Sequence, residues 1–168
     1  MTLIALPVRF AALLAPAPAF SVDLFSVEGR WVGTGSLATK VERPMQPARC
    51  EVEVEQKAAQ SDINMAGRCV VGAGGSNIAF RIVRSGPGRV RGALKSGMDE
   101  QALQLAGTDQ PGAVDLQATE PWPVDGERYE TLITVREPDA ASFAIRQMVR
   151  SDAGAPWRLI VDMTYRQP

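Results

Sequence analysis

The chain has 168 residues, 45% of them hydrophobic, which suits one domain with a buried core. Its formal net charge is −1 and it contains no histidine, so no global field recruits nucleic acid. The imidazole of Ser-His-Asp, Cys-His, haem and common zinc sites is missing too. The carboxylates are scattered along the chain, and the sequence predicts no catalytic residues, no metal and no cofactor.

The apolar leader MTLIALPVRFAALLAPAPAF ends in Ala17-Pro18-Ala19. This A-x-A pattern predicts a signal peptide over residues 1–19, a lead-in over 20–27 and a single domain over 28–168. The expected location is the periplasm or the cell exterior, where two cysteines pair readily. A disordered Ala/Pro tail on a cytosolic protein is the alternative. No other stretch approaches the ~18 apolar residues of a spanning helix, so the expected protein does not span a membrane.

From Glu28 onward the sequence alternates with period two between Gly, Pro, Asp and Ser turns. Residues 29–37 set Trp31, Gly33, Gly35 and Leu37 on one face, and Cys50, Val52 and Val54 alternate with Glu51, Glu53 and Glu55. Met65, Gly67 and Cys69 follow, then Phe80 and Ile82, Val90 and Gly92, Leu105 and Gly107, and Val114 and Leu116. The series closes with Thr131, Ile133 and Val135, then Phe143, Ile145 and Val149, and finally Trp157, Leu159, Val161, Met163 and Tyr165. About ten short strands with short loops predict an all-β antiparallel up-and-down meander. Closure into a round or flattened barrel removes the open edges. A two-sheet sandwich is the second choice.

Setting Cys50 opposite Cys69 places Val52 against Gly67 and Val54 against Met65, all on the apolar face. That agreement predicts a Cys50–Cys69 disulfide with a turn near residues 57–61; two free thiols in a cytosolic protein are the alternative. The inward glycines mark either strand bends or missing volume. If the second holds, a leucine at Gly67 or Gly92 fills a cavity at little cost in stability. First and last strands are neighbours in a closed meander, which sets Trp31 and Trp157 at one end.

The opening Gly29-Arg30-Trp31 resembles the opening of lipocalins and their calycin relatives. The resemblance implies that Trp31 plugs the barrel base and that a closing-strand arginine, Arg158 or Arg166, packs over it. Their parity with Trp157 and Tyr165 points both outward. Ten strands are similar to fatty-acid-binding proteins and nitrobindin-type haem barrels. Pro44 and Pro47 exclude the helical lid of the first, and the lack of histidine excludes haem ligation as in the second. Gly-x-Trp followed by Cys50 and Cys69 is also similar to small secreted barrel proteins of Gram-negative bacteria, among them periplasmic metalloprotease inhibitors. The inhibitory N-terminal segment of that group corresponds to "FSVDLF", from Phe20.

Two functions follow as expectations, both non-enzymatic. One is a calycin-like barrel holding a small apolar ligand in a cavity lined by Trp31, Met65, Phe80, Ile82, Leu105, Ile133 and Ile145, with Gln147 and Thr131 as polar contacts. The other is a protein-interaction barrel with a filled core, such as an inhibitor or envelope component. Trp31 suits a core plug better than a ligand contact. On the outer face, simple hairpin registers set Arg68, Arg81 and Arg91 side by side with Arg84, Arg89 and Lys95 near them, a row that invites an anionic envelope component or protein partner. Plain solvated arginines are the alternative.

Overall fold

The computed structural model describes residues 23–97, 101–139 and 141–168. The signal-peptide expectation therefore lies outside the described residues. The strands are β1 (Gly29–Leu37), β2 (Gln46–Ala58), β3 (Asp62–Val71), β4 (Gly74–Gly86), β5 (Arg89–Ser96) and β6 (Leu103–Gln110), then β7 (Ala113–Ala118), β8 (Trp122–Val124), β9 (Glu127–Asp139), β10 (Ser142–Arg150) and β11 (Arg158–Arg166). Every pairing is antiparallel. β1 pairs with both β2 and β11, β7 pairs with β9, and β9 pairs with β10, so the meander closes into a barrel. β8 stands outside the closed ring, paired only to the start of β9 through Trp122 opposite Tyr129.

The connections sort to two ends. The turns after β2, β4, β6 and β9 share one end with the lead-in to β1, here the entry end; the remaining loops lie at the far end. The cysteine register is as the alternation predicts, with Cys50 opposite Cys69, Val52 opposite Gly67 and Val54 opposite Met65. The disulfide joins the two cysteines directly across the pair, at a sequence separation of 19. Closing such a loop stabilises the fold by about 3 kcal/mol in the chain-entropy picture.

Inward side chains from both walls meet in one core. Val54, Met65 and Ile82 from β2–β4, together with Val135, Phe143 and Ile145 from β9 and β10, border a shared space of about 20 Å³. That is room for a single water. Inward side chains of the opposite walls belong to one apolar cluster, so the core is shared across the barrel. Two of the inward glycines explain how the sheet folds so tightly. A Cβ at Gly67 would lie 2.0 Å from the Glu51 carbonyl oxygen, and one at Gly107 would lie 1.8 Å from that of Asp115. Neighbouring backbone occupies the place of a side chain at both corners, so these glycines permit close strand approach rather than leaving a void.

The last strand departs from its predicted parity. Gln147 pairs with Val161 but Met148 with Leu159, so Ile160 is an extra, bulged residue. Ile160 turns inward and joins Val41, Tyr129 and Val149 in a second cluster, against which Trp122 and Val124 pack. The expected pairing of Trp31 with Trp157 at one end is thereby corrected. Trp157 precedes β11 at the far end, where the Arg150 guanidinium lies 4.5 Å from its ring. Trp31 sits near the entry end, 5.0 Å from Phe143, and its indole N–H donates to the Glu28 carbonyl at 3.2 Å.

Candidate functional site

Every residue predicted to line a cavity is buried inside the barrel: Trp31, Met65, Phe80, Ile82, Leu105, Ile133, Ile145 and Gln147. All but Gln147 belong to one apolar cluster, and they are packed against each other and against a segment that the strand pattern does not contain. This segment is the lead-in. Asp23 caps a single 3-10 turn, Leu24–Ser26, accepting the Phe25 amide at 3.0 Å. The turn drives Leu24 and Phe25 into the entry end, where Phe25 is 0% exposed. Leu24 and Val27 border the residual 20 Å³ space directly.

Arg84 holds this plug in place. It lies on β4 with the parity of Phe80 and Ile82, so it points to the inside of the barrel mouth rather than outward. Its guanidinium lies 4.1 Å from the centre of the Phe25 ring. Its Nη2 donates to Asp23 at 2.8 Å and its Nε to Asp109 at 2.6 Å, while Nη1 donates to the Gln60 carbonyl. Asp109 has the same inward parity on β6 as Leu105 and Gly107. One half-buried cation thus joins β4, β6, the β2–β3 turn and the lead-in, over an aromatic ring. Grouping Arg84 with the outer-face arginines misplaces it, although its spacing from Phe80 and Ile82 in the sequence already carried the signal.

The arginines of the expected row are stepped along the strands. Arg68 faces Asn77, Arg81 faces Asn64 and Ala93, and Arg91 faces Val83 and Ala106. The simple registers were wrong by whole residue pairs, so the three do not stand side by side. Arg81 also has an acid of its own: its Nε donates to Asp62 at 2.9 Å, and the guanidinium holds the Asp62 carboxyl below its usual range. Arg68, Arg89, Arg91 and Lys95 are exposed and have no carboxylate partner among the described residues. Asp62 is the one carboxylate in the sequence of β3, β4 and β5. This side of the barrel is cationic although the chain as a whole is not.

Arg166 is exposed, as its parity implies; Arg158, which the bulge sets on the side of Ile160, is exposed at the far end, where it donates to the Arg43 carbonyl at 2.9 Å. Over Trp31 lie aromatic rings instead, with Phe143 stacked on Tyr165 at 4.7 Å. Thr131 is buried and its hydroxyl has no partner. Among the described residues no three Asp, Glu or Cys side chains gather as metal ligands.

The aromatic stack gives the fold a pH limit. Burial pushes the Tyr165 phenol up to about 12, against ~10 in an unfolded chain. The folded state holds the proton more tightly, so this stabilisation is complete below pH ~10. It is lost as pH rises through about 12, a change of about 2–3 kcal/mol. Tyr129, donating to Glu42 at 2.5 Å, is also raised to about 12, by that hydrogen bond first. Urea midpoints measured across this range are expected to fall for both wild type and Tyr165→Phe, with a shallower slope in the variant. Equal slopes would remove Tyr165 from the account.

A scan against models of known protein families matches none of them to this chain, and a search of curated proteins finds no match. The conclusion that the geometry carries is therefore one of architecture: a closed antiparallel barrel with one disulfide, sealed at one end by its own N-terminal lead-in.

Proposed function

We propose that this is an exported, non-catalytic interaction barrel of calycin-like form, with its recognition surface on the outside and at the entry end. The observation that supports this reading is the filled interior. The space bordered by Leu24, Val27 and both walls measures about 20 Å³, whereas small-molecule pockets are usually at least ~300 Å³. Wild-type protein is expected to emerge from native mass spectrometry without a bound lipid. A stoichiometric apolar small molecule would restore the ligand-carrier reading.

The cationic side of β3–β5 supplies the surface. Arg68, Arg89, Arg91 and Lys95 project around a floor of small side chains, with Ala66 paired to Ala79 and Ala93 two positions from Arg91. These cations outnumber the acids of β3–β5, where only Asp62 is present and is paired with Arg81, while Glu51 of β2 stands opposite Arg68 at the border; the surplus favours an anionic partner. Arg68→Ser with Arg91→Ser is expected to leave the melting temperature unchanged, because exposed charges contribute little. The double variant should leave immobilised heparin at distinctly lower salt than wild type. Coincident elution would make these residues an ordinary solvated face.

Export completes the proposal, resting on the Ala17-x-Ala19 pattern and on the disulfide. Intact mass from a periplasmic extract is expected to correspond to a chain beginning at Phe20. A full-length species confined to the cytosol would overturn it.

A further inference from the structure

We infer that the entry end is a docking site for a peptide segment in which an acid is followed by two apolar residues, and that Asp23-Leu24-Phe25 is its built-in occupant. This rests on the reading of the protein as an interaction barrel and names the chemistry of the partner. The lead-in belongs to no strand, yet it is bound as a ligand is bound. Its carboxylate is paired with Arg84 at 2.8 Å. Its two apolar side chains enter the interior, and the Phe25 ring is covered by the same guanidinium at 4.1 Å. Arg84 does not depend on that occupant alone. Asp109 at 2.6 Å and the Gln60 carbonyl fix the guanidinium from the barrel side. The receiving half of the site is therefore built by the barrel itself, and is preorganised for an incoming acid.

The occupant runs directly into β1, with Val27 buried and the Glu28 carbonyl accepting from the Trp31 indole. It connects to β1 through Glu28 and Gly29, and Gly29 holds φ +90 with nothing within 4 Å of where a Cβ would lie. A glycine suits that left-handed backbone at the point where the segment turns into β1 opposite Val54. The outer cations Arg89 and Arg91 stand at the start of β5, next to the same end, and so bias an acidic segment toward the mouth. A partner segment of the same chemistry competes with the chain's own, and the site opens only to a sequence that replaces both the ion pair and the buried ring.

The experiment supplies the segment in trans. Phe25→Ala weakens the built-in occupant, and the probe is a synthetic peptide spanning residues 21–28, Ser-Val-Asp-Leu-Phe-Ser-Val-Glu, capped at both ends. The peptide is expected to raise the melting temperature of Phe25→Ala by several degrees and to bind it about ten-fold or more tighter than wild type, whose own segment competes. Peptides with Asn for Asp, or Ala for Phe, lose that effect, as does the full peptide on Phe25→Ala with Arg84→Gln. If Phe25→Ala does not fold alone, Asp23→Ala takes its place, since it cuts the ion pair and keeps the ring. A folded variant that ignores the peptide overturns the inference. So does stabilisation by dodecanoate but not by peptide, which would mark a site for small amphiphiles. A lipid co-purifying with wild type, by contrast, counts against the interaction-barrel reading itself.

Discussion

Gly67→Leu is expected to destabilise the protein by about 3 kcal/mol and to lower its melting temperature by about 10 °C. Gly67 faces inward between Val52 and Ile78, and a cavity reading of that position predicts a leucine at little cost in stability. The backbone geometry reverses this. The first carbon of any side chain there would lie 2.0 Å from the Glu51 carbonyl oxygen and 2.7 Å from the Val52 Cα. Neither is the movable tip of a side chain, so β2 and β3 must separate, and the disulfide two residues away at Cys69 resists that separation. Gly92→Ala is the matched control. Its Cβ would meet the Arg81 carbonyl oxygen at 3.2 Å and Leu105 at 3.5 Å, a shift of a few tenths of an ångström. The expected cost is about 1 kcal/mol or less. Urea unfolding of both variants with the disulfide intact measures the contrast. If Gly67→Leu unfolds at the wild-type midpoint, the corner is not closed in solution.

This contrast shows what a linear sequence carries. Period-two alternation is local, so the strands of the ring were legible, and the match of Cys50, Val52 and Val54 with Cys69, Gly67 and Met65 pinned one register correctly. What was not legible depends on distance in the chain. The bulge at Ile160 lies opposite the Gln147–Met148 step of β10, and nothing near Ile160 in the sequence announces it. Whether an inward glycine leaves a void or touches the neighbouring strand is decided by a carbonyl sixteen residues earlier, at Glu51 for Gly67. The arginine row failed because a step of register moves a charge about 7 Å for every two residues. Arg84 is the instructive case. Its parity with Phe80 and Ile82 was visible, but a charge in an apolar series makes sense only once Asp23, Asp109 and Phe25 are known to converge on it. β8 was hidden because prolines on both sides of Trp122 read as loop, while an edge position tolerates them.

Phe25→Ala tests whether the lead-in is part of the core or merely rests on it. The ring is 0% exposed although only three residues separate it from the first strand. Truncating a fully buried phenylalanine typically costs about 3–5 kcal/mol through lost transfer energy and the cavity left behind. The lower part of that range, about 3 kcal/mol, is expected here, because a short turn outside the sheet is freer to collapse than a strand. A share of the cost belongs to Arg84, whose guanidinium loses the aromatic face but keeps Asp109 and Asp23. Double-mutant cycles with Arg84→Met isolate that share, and a coupling of about 0.5–2 kcal/mol is expected between the two positions. Phe25→Leu should recover much of the stability without recovering the coupling, since it restores apolar volume and no ring. A cost below about 1 kcal/mol for Phe25→Ala would mean that the barrel mouth closes without its plug. The lead-in would then be an appendage, and the convergence on Arg84 would serve only to tie it to the barrel.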